Sequence, residues 1–74
     1  MKITYDLEGD VLYILLREAK PDDSFDINPG ITAELDENGE LIGIEIVAAR
    51  ERGISLNDLH LENLPYHLPA SRAI

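Results

Sequence analysis

The sequence contains no cysteine and only two histidines. The first absence excludes disulfides and thiolate metal sites, and the second makes a nitrogen-ligated structural zinc site improbable. A chain of 74 residues forms one domain, and domains this small bury only about 60 % of their unfolded surface. Because small cores usually need support from cross-links, metal or association, we expect oligomerisation or a protein partner to supply it here.

Long apolar runs are also missing. The longest, residues 11–16, is far shorter than the roughly 20 residues that span a bilayer. The first residues lack a basic region followed by an apolar one, the pattern of a secretory signal. We therefore expect a cytoplasmic protein with no membrane partner.

Positive charge is scarce. Six Lys and Arg residues stand against fifteen Asp and Glu residues, which gives a formal net charge of −9. Since affinity for nucleic acid depends on neutralising phosphates, we expect no nucleic-acid partner. Complementary charge would favour a basic protein partner. The alternative interpretation is that the acidity only keeps a small protein soluble.

Residues 1–17 have the pattern of a β-hairpin. Ile3, Tyr5 and Leu7 alternate with polar residues, as in a half-buried strand. Glu8-Gly9-Asp10 supplies turn residues, and the apolar run 11–16 predicts a strand covered on both faces. A loop of two or four residues would place Ile3 and Tyr5 on the same face as Leu12, Ile14 and Leu16.

A second hairpin is predicted after a polar connection and a short third strand over 24–28. Residues 31–36 and 41–47 alternate around Asn38-Gly39, the dipeptide that favours a two-residue turn. Such a loop pairs Leu35 with Ile42 and Ala33 with Ile44, and it pairs Ile31 with Ile46. A three-residue loop would shift every pair by one and place Glu45 opposite Ile31, so an even-numbered loop is favoured.

The remaining residues differ in character. Ser55-x-x-Asp58, followed by leucines, has the form of a capping box and predicts a short helix over 56–63. Residues 58–62 also alternate, so a strand is the alternative. The predicted fold is therefore α+β, a small antiparallel sheet of about four to five strands from two consecutive β-hairpins with a short C-terminal helix. The domain would cover 1–64, with a proline-containing tail over 65–74.

No residue pattern indicates a catalytic, cofactor-binding or metal-binding site. The serines lack a nucleophile-type turn, and the glycines are too dispersed to cradle a phosphate. Asp22, Asp23 and Asp26 form a carboxylate cluster that leaves weak divalent-cation binding open. The feature that calls for a partner is the second apolar face of the 11–16 strand, which the C-terminal segment or a second copy could cover. The candidate interface residues are Val11, Tyr13, Leu15, Leu59, Leu61 and Tyr66.

Several segments together resemble the short prokaryotic proteins of the domain of unknown function 2283 family. They are Met1-Lys2-Ile3-Thr4-Tyr5-Asp6, Asp10-x-Leu12-Tyr13-Ile14, Asn28-Pro29-Gly30-Ile31 and residues 36–46. The resemblance covers about residues 1–48. It implies a shared fold and no catalytic residues, because the family has no established activity. Some members are suspected to be antitoxins, which would suit an acidic chain with a basic, toxin-like partner.

Three hypotheses follow. The first is a protein-interaction module, in its sharpest form antitoxin-like, that binds a basic partner. The second is a structural homodimer that uses the face of Val11, Tyr13 and Leu15. The third, a weak divalent-cation-binding protein or a small enzyme, lacks a supporting set of residues, so we do not expect an enzyme.

Overall fold

A computed structural model describes residues 1–65, and its strands form one five-stranded antiparallel sheet. The strands are β1 (Lys2–Asp6), β2 (Val11–Leu15), β3 (Asp23–Asn28), β4 (Ile31–Leu35) and β5 (Leu41–Val47). Their order across the sheet is β1-β2-β5-β4-β3, so β5 is the central strand. Both predicted hairpins are present, as β1–β2 and β4–β5, and β3 pairs with the outer side of β4.

The first hairpin has a four-residue loop over 7–10, because Asp6 pairs with Val11. Tyr5 therefore pairs with Leu12, and Ile3 pairs with Ile14. Directly paired residues in a sheet point to the same side. The predicted sharing of one face by these apolar residues is thus confirmed.

The second hairpin does not have the predicted two-residue loop. The Asp36 amide donates to the Glu40 carbonyl oxygen at 2.9 Å, which leaves residues 37–39 as a three-residue loop. Gly39 takes a φ of 80°, the left-handed conformation that ends such loops. The Asp36 carboxylate also accepts bonds from the amides of Asn38 and Glu40, each at 2.9 Å, and this favours the longer turn.

A β-bulge at Ile42 compensates for the odd loop. Leu35 pairs with Leu41, whereas Glu34 pairs with Gly43, so Ile42 has no residue opposite it. The predicted pair of Leu35 with Ile42 is therefore wrong. Beyond the bulge, Ala33 pairs with Ile44 and Ile31 with Ile46, as predicted.

The predicted C-terminal helix is wrong, and with it the α+β class: residues 1–65 contain strands and turns but no helix. Ser55 Oγ accepts from the Asn57 amide at 3.2 Å, two residues on, and one turn closes between Leu56 and Leu59. A helix of eight residues must overcome a costly nucleus. Packing does not offset that cost, since the Leu59 side chain is 57 % exposed. The alternative strand over 58–62 is absent as well.

The segment that follows β5 is held by two side chains. The Asp10 carboxylate accepts from the Tyr5 hydroxyl at 2.7 Å and from the Arg50 amide at 2.8 Å. Arg52 donates to the carbonyl oxygens of Val47 and Pro29. These bonds fix the turns after β5 to the β1–β2 loop and to the β3–β4 turn.

The fully buried apolar core is small. Its members among the described residues are Leu12, Ala33, Ile42 and Ala49. No helix in this part of the chain is long and apolar enough to cross a membrane. Of the predicted tail over 65–74, all but the first residue lies outside the described residues.

Candidate functional site

One face of the sheet, here called the apolar face, is almost free of charge. Its central row crosses all five strands through successive paired residues, and every member is apolar: Ile3, Ile14, Ile44, Ala33 and Phe25. A second row contains Tyr5, Leu12, Ile46 and Ile31. Asp23, on the edge strand β3, is the charged strand residue that pairs into this face.

The opposite face, here called the acidic face, mixes carboxylates with a few apolar side chains. Its central row runs through Thr4, Tyr13, Glu45, Thr32 and Asp26. Glu34 lies beside this row, because it pairs with Gly43. Among the described strand residues of this face, Lys2 is the one cation.

The predicted interface residues fall into separate places. Val11, Tyr13 and Leu15 lie together on the acidic face, half-buried, as neighbours along β2. Leu59 and Leu61 are 57 % and 64 % exposed in the irregular segment after β5. Tyr66 lies outside the described residues. Their role in an interface stays a prediction.

Tyr13 occupies the centre of the acidic face. Its hydroxyl donates to Glu34 Oε1 at 2.7 Å, which requires the ring to cross the intervening strand β5 at Gly43. A Cβ at residue 43 would lie 2.5 Å from the Tyr13 hydroxyl oxygen and 2.8 Å from the Ile14 carbonyl oxygen. Glycine is therefore required at this position by close approach.

The carboxylates around Tyr13 change its ionisation. The hydrogen bond to Glu34 contributes most, with burial and the negative charges of Glu34, Glu45 and Glu18, and together they raise the pKa of Tyr13 to about 12. Each of these effects opposes formation of the tyrosinate anion. The acidic face thus carries a concentrated negative field with an aromatic ring at its centre.

Removing the Tyr13 hydroxyl should change how the free energy of unfolding depends on pH. Tyr13→Phe should lower the free energy of unfolding by about 1 kcal/mol at pH 8, because one hydrogen bond is lost. The folded protein holds the Tyr13 proton up to a pKa of about 12, against 10.0 for an ordinary tyrosine. The stabilisation is therefore complete below pH 10 and is lost as the pH rises towards 12. Urea unfolding measures the free energy of unfolding of the wild type and of Tyr13→Phe, and the difference between the two should narrow above pH 10. A difference that stays constant to pH 11.5 would contradict the pKa shift.

The grouping of carboxylates around Tyr13 could not be predicted from the sequence. Glu34 and Glu45 were visible as the polar positions of two alternating strands. Their convergence on Tyr13 depends on the pairing of β2 with β5, which joins strands distant in sequence. Period-2 patterns give the face of a residue within its strand and do not give the neighbouring strand.

The aspartates of the predicted carboxylate cluster are separated by the sheet. Asp23 pairs with Leu35 on the apolar face, whereas Asp26 pairs with Thr32 on the acidic face and accepts its hydroxyl at 3.0 Å. Within residues 1–65, no group of three or more His, Asp or Glu side chains is arranged to hold a metal ion. The two faces of the sheet provide surfaces for binding.

A cleft of about 300 Å³ opens at one end of the apolar face. Tyr5 and Leu12 form its floor on the sheet side, and residues 54–57 of the segment after β5 form its outer wall. Ile54 and Leu56 remain 37 % and 38 % exposed there. Arg50, Ser55 and Asn57 also line the cleft, so it is a mainly apolar recess with a polar border.

Comparison with known proteins identifies a family and nothing closer. Residues 2–50 match a family model described as "Protein of unknown function (DUF2283)". No curated protein and no solved structure matches the chain. The matched range contains all five strands and ends within the turns after β5.

Proposed function

Because the chain belongs to the domain of unknown function 2283 family, whose description assigns no activity, we propose its role from the geometry: it is a protein-interaction module that binds a basic polypeptide on its acidic face. The observation that carries this proposal is the group of carboxylates around Tyr13. Glu34 contacts the Tyr13 hydroxyl directly, and Glu45 is its neighbour in the central row. Complementary charge of this kind selects partners and speeds their encounter.

The acidic face also offers contacts for the uncharged parts of a basic side chain. The Tyr13 ring can stack with a guanidinium or ammonium group, an attraction that strengthens when water is excluded. Val11 and Leu15 flank Tyr13 along β2 and are half-buried. Lys and Arg stems pack against such apolar surface while their charged ends reach carboxylates.

The sharpest form of this proposal is an antitoxin-like role, in which the partner is a basic, toxin-like protein encoded by a neighbouring gene. A compact basic protein whose active surface is cationic would be neutralised by contact with such a face. The net charge of −9 favours this pairing over binding to nucleic acid. The proposal therefore specifies the chemistry of the partner as cationic protein.

The test is co-expression with the product of the neighbouring gene, followed by co-purification and affinity measurement. Glu45→Lys reverses a charge in the centre of the acidic face. Glu40→Lys makes the same change in net charge at an exposed residue of the β4–β5 turn and serves as the matched control. We expect Glu45→Lys to weaken binding by about tenfold or more, equivalent to about 1.4 kcal/mol, and Glu40→Lys to weaken it much less.

Circular dichroism should show that both variants fold before affinities are compared. Raising the salt concentration should weaken the wild-type complex, because exposed charges are screened. Equal losses for the two variants would mean that only net charge matters and that the acidic face is not the binding surface. Absence of any complex with a cationic neighbour would contradict the proposal itself.

A further inference from the structure

The apolar face lacks a second layer over most of its area in the part of the chain that the structure describes. Ile44, at the middle of the central strand, is only half-buried. At the two ends of the same row, Ile3 is 36 % and Phe25 53 % exposed. A sheet with one apolar face gains stability by packing that face against another layer. Within residues 1–65, the segment after β5 covers the end formed by Tyr5 and Leu12, and Ala33 and Ile42 are buried, but the larger side chains of the central row keep exposed area.

We propose that a second copy of this chain covers the apolar face, so that two five-stranded sheets pack face to face as a symmetric dimer. Closed two-fold dimers are the commonest soluble oligomers, and their interface uses the same patch on both copies. A two-fold axis that lies between the two sheets and passes over the middle of β5 places β5 of one copy over β5 of the other. Ile44 then lies near that axis, with its row across the centre of the interface.

The distribution of charge between the two faces favours a second copy of the chain, and not a basic protein, as the occupant of the apolar face. The carboxylates Glu34, Glu45 and Asp26 belong to the acidic face, which points away from the proposed interface. A basic partner would find Asp23 as the one charged strand residue on the apolar face, at its edge. Two copies can therefore approach through uncharged surface although each carries a net charge of −9.

The apolar face approaches the size of a small dimer interface. Five strands about 4.8 Å apart, each about five residues long at about 3.3 Å per residue, give a flat footprint of roughly 24 Å by 17 Å. Side-chain relief and the exposed rim residues Ile27, Leu16 and Leu41 add to the accessible area. The flat footprint is thus roughly 400 Å², and specific interfaces bury about 600–1,000 Å² of accessible surface on each partner, so this interface would be a small one.

The small buried core is a second reason to expect association. A core of this size rarely supplies more than about 3–5 kcal/mol. The buried apolar core of the described residues has four members, two of which are alanines. Packing two apolar faces about 10 Å apart would convert the half-buried isoleucines into a shared core.

Light scattering on the full 74-residue chain tests the proposal first. We expect a mass twice the 8.3 kDa of one chain at micromolar concentration. A single-chain mass overturns the dimer, and it does so whether residues 66–74 or a different protein covers the face instead. This outcome leaves the acidic-face proposal intact, because co-purification with a basic partner is measured independently.

Cysteine cross-linking then locates the interface, since the natural chain has no cysteine. Ile44→Cys and Glu45→Cys introduce thiols at adjacent residues that point to opposite faces of β5. A short bismaleimide should convert most of Ile44→Cys into covalent dimer and little of Glu45→Cys. The reverse preference would place the interface on the face of Tyr13 and overturn the proposal. If Ile44→Cys fails to fold, Glu45→Cys still tests the proposal. A wild-type dimer mass with little cross-linking of Glu45→Cys supports the apolar face as the interface, and strong cross-linking of Glu45→Cys overturns it.

Discussion

Gly43→Ala should destabilise the protein by about 2–3 kcal/mol, a large effect for the addition of one methyl group. A Cβ at this position would approach the Tyr13 hydroxyl oxygen at 2.5 Å and the Ile14 carbonyl oxygen at 2.8 Å. The tyrosine can move, but the carbonyl belongs to the neighbouring strand β2 and is held by the sheet. Either movement disturbs the contact between β2 and β5. Urea unfolding at fixed protein concentration measures the loss.

Gly9→Ala is the matched control for this substitution. Its Cβ would approach Asp6 Oδ2 at 2.8 Å, and that oxygen is at the flexible end of an exposed side chain whose other oxygen accepts from the Glu8 amide. We expect a loss below about 0.5 kcal/mol, as for surface changes in general. In the double variant Tyr13→Ala/Gly43→Ala the tyrosine contact is gone and the carbonyl contact remains, so recovery should be partial. An effect of Gly43→Ala no larger than that of Gly9→Ala would show that the strands are not this close.

Ile42→Ala should cost about 3 kcal/mol, close to the whole stability that a core of this size supplies. Ile42 is 1 % exposed and is the largest fully buried side chain of the described residues. Because Ile42 lies in the bulge, no residue of β4 is directly opposite it. No cross-strand side chain can therefore move into the cavity that the substitution leaves. We expect a broad or absent thermal unfolding transition.

Leu41→Ala tests whether burial is the cause. Leu41 adjoins Ile42 and is 37 % exposed, although both are large aliphatic residues at the start of β5. Its truncation removes less buried surface and should cost about 1 kcal/mol. Thermal melts followed by circular dichroism compare the two variants. Equal losses of stability for the two variants would contradict the difference in burial between Ile42 and Leu41, and with it the bulge.

The local sequence predicted the strands well because each carries a clear alternation. The strand predicted over 41–47 has the bounds of β5, and the alternation over 31–36 exceeds β4 by one residue. The faces followed from the same pattern, since Tyr5 pairs with Leu12 on one side. Alternation is a property of the strand itself, and tertiary contacts rarely overturn it when both strands of a hairpin agree.

The failures arose where non-local contacts decide the conformation. Ser55 and Asp58 have the spacing of a capping box, but a helix there would have no surface to pack against and too few residues to persist alone. The order of the strands, with β2 beside β5, brings together residues about 30 positions apart. The acidic face depends on that order, so its carboxylates could not be grouped from local patterns.

The three-residue loop at 37–39 and the bulge at Ile42 cancel each other's shift in strand pairing. The length of the loop and the presence of the bulge must therefore change together in this hairpin. A deletion in the turn would be neutral for the apolar face only if the extra residue of β5 were lost as well. Length variation among relatives should accordingly occur in matched pairs, and an engineered two-residue turn grafted here must also remove the bulge.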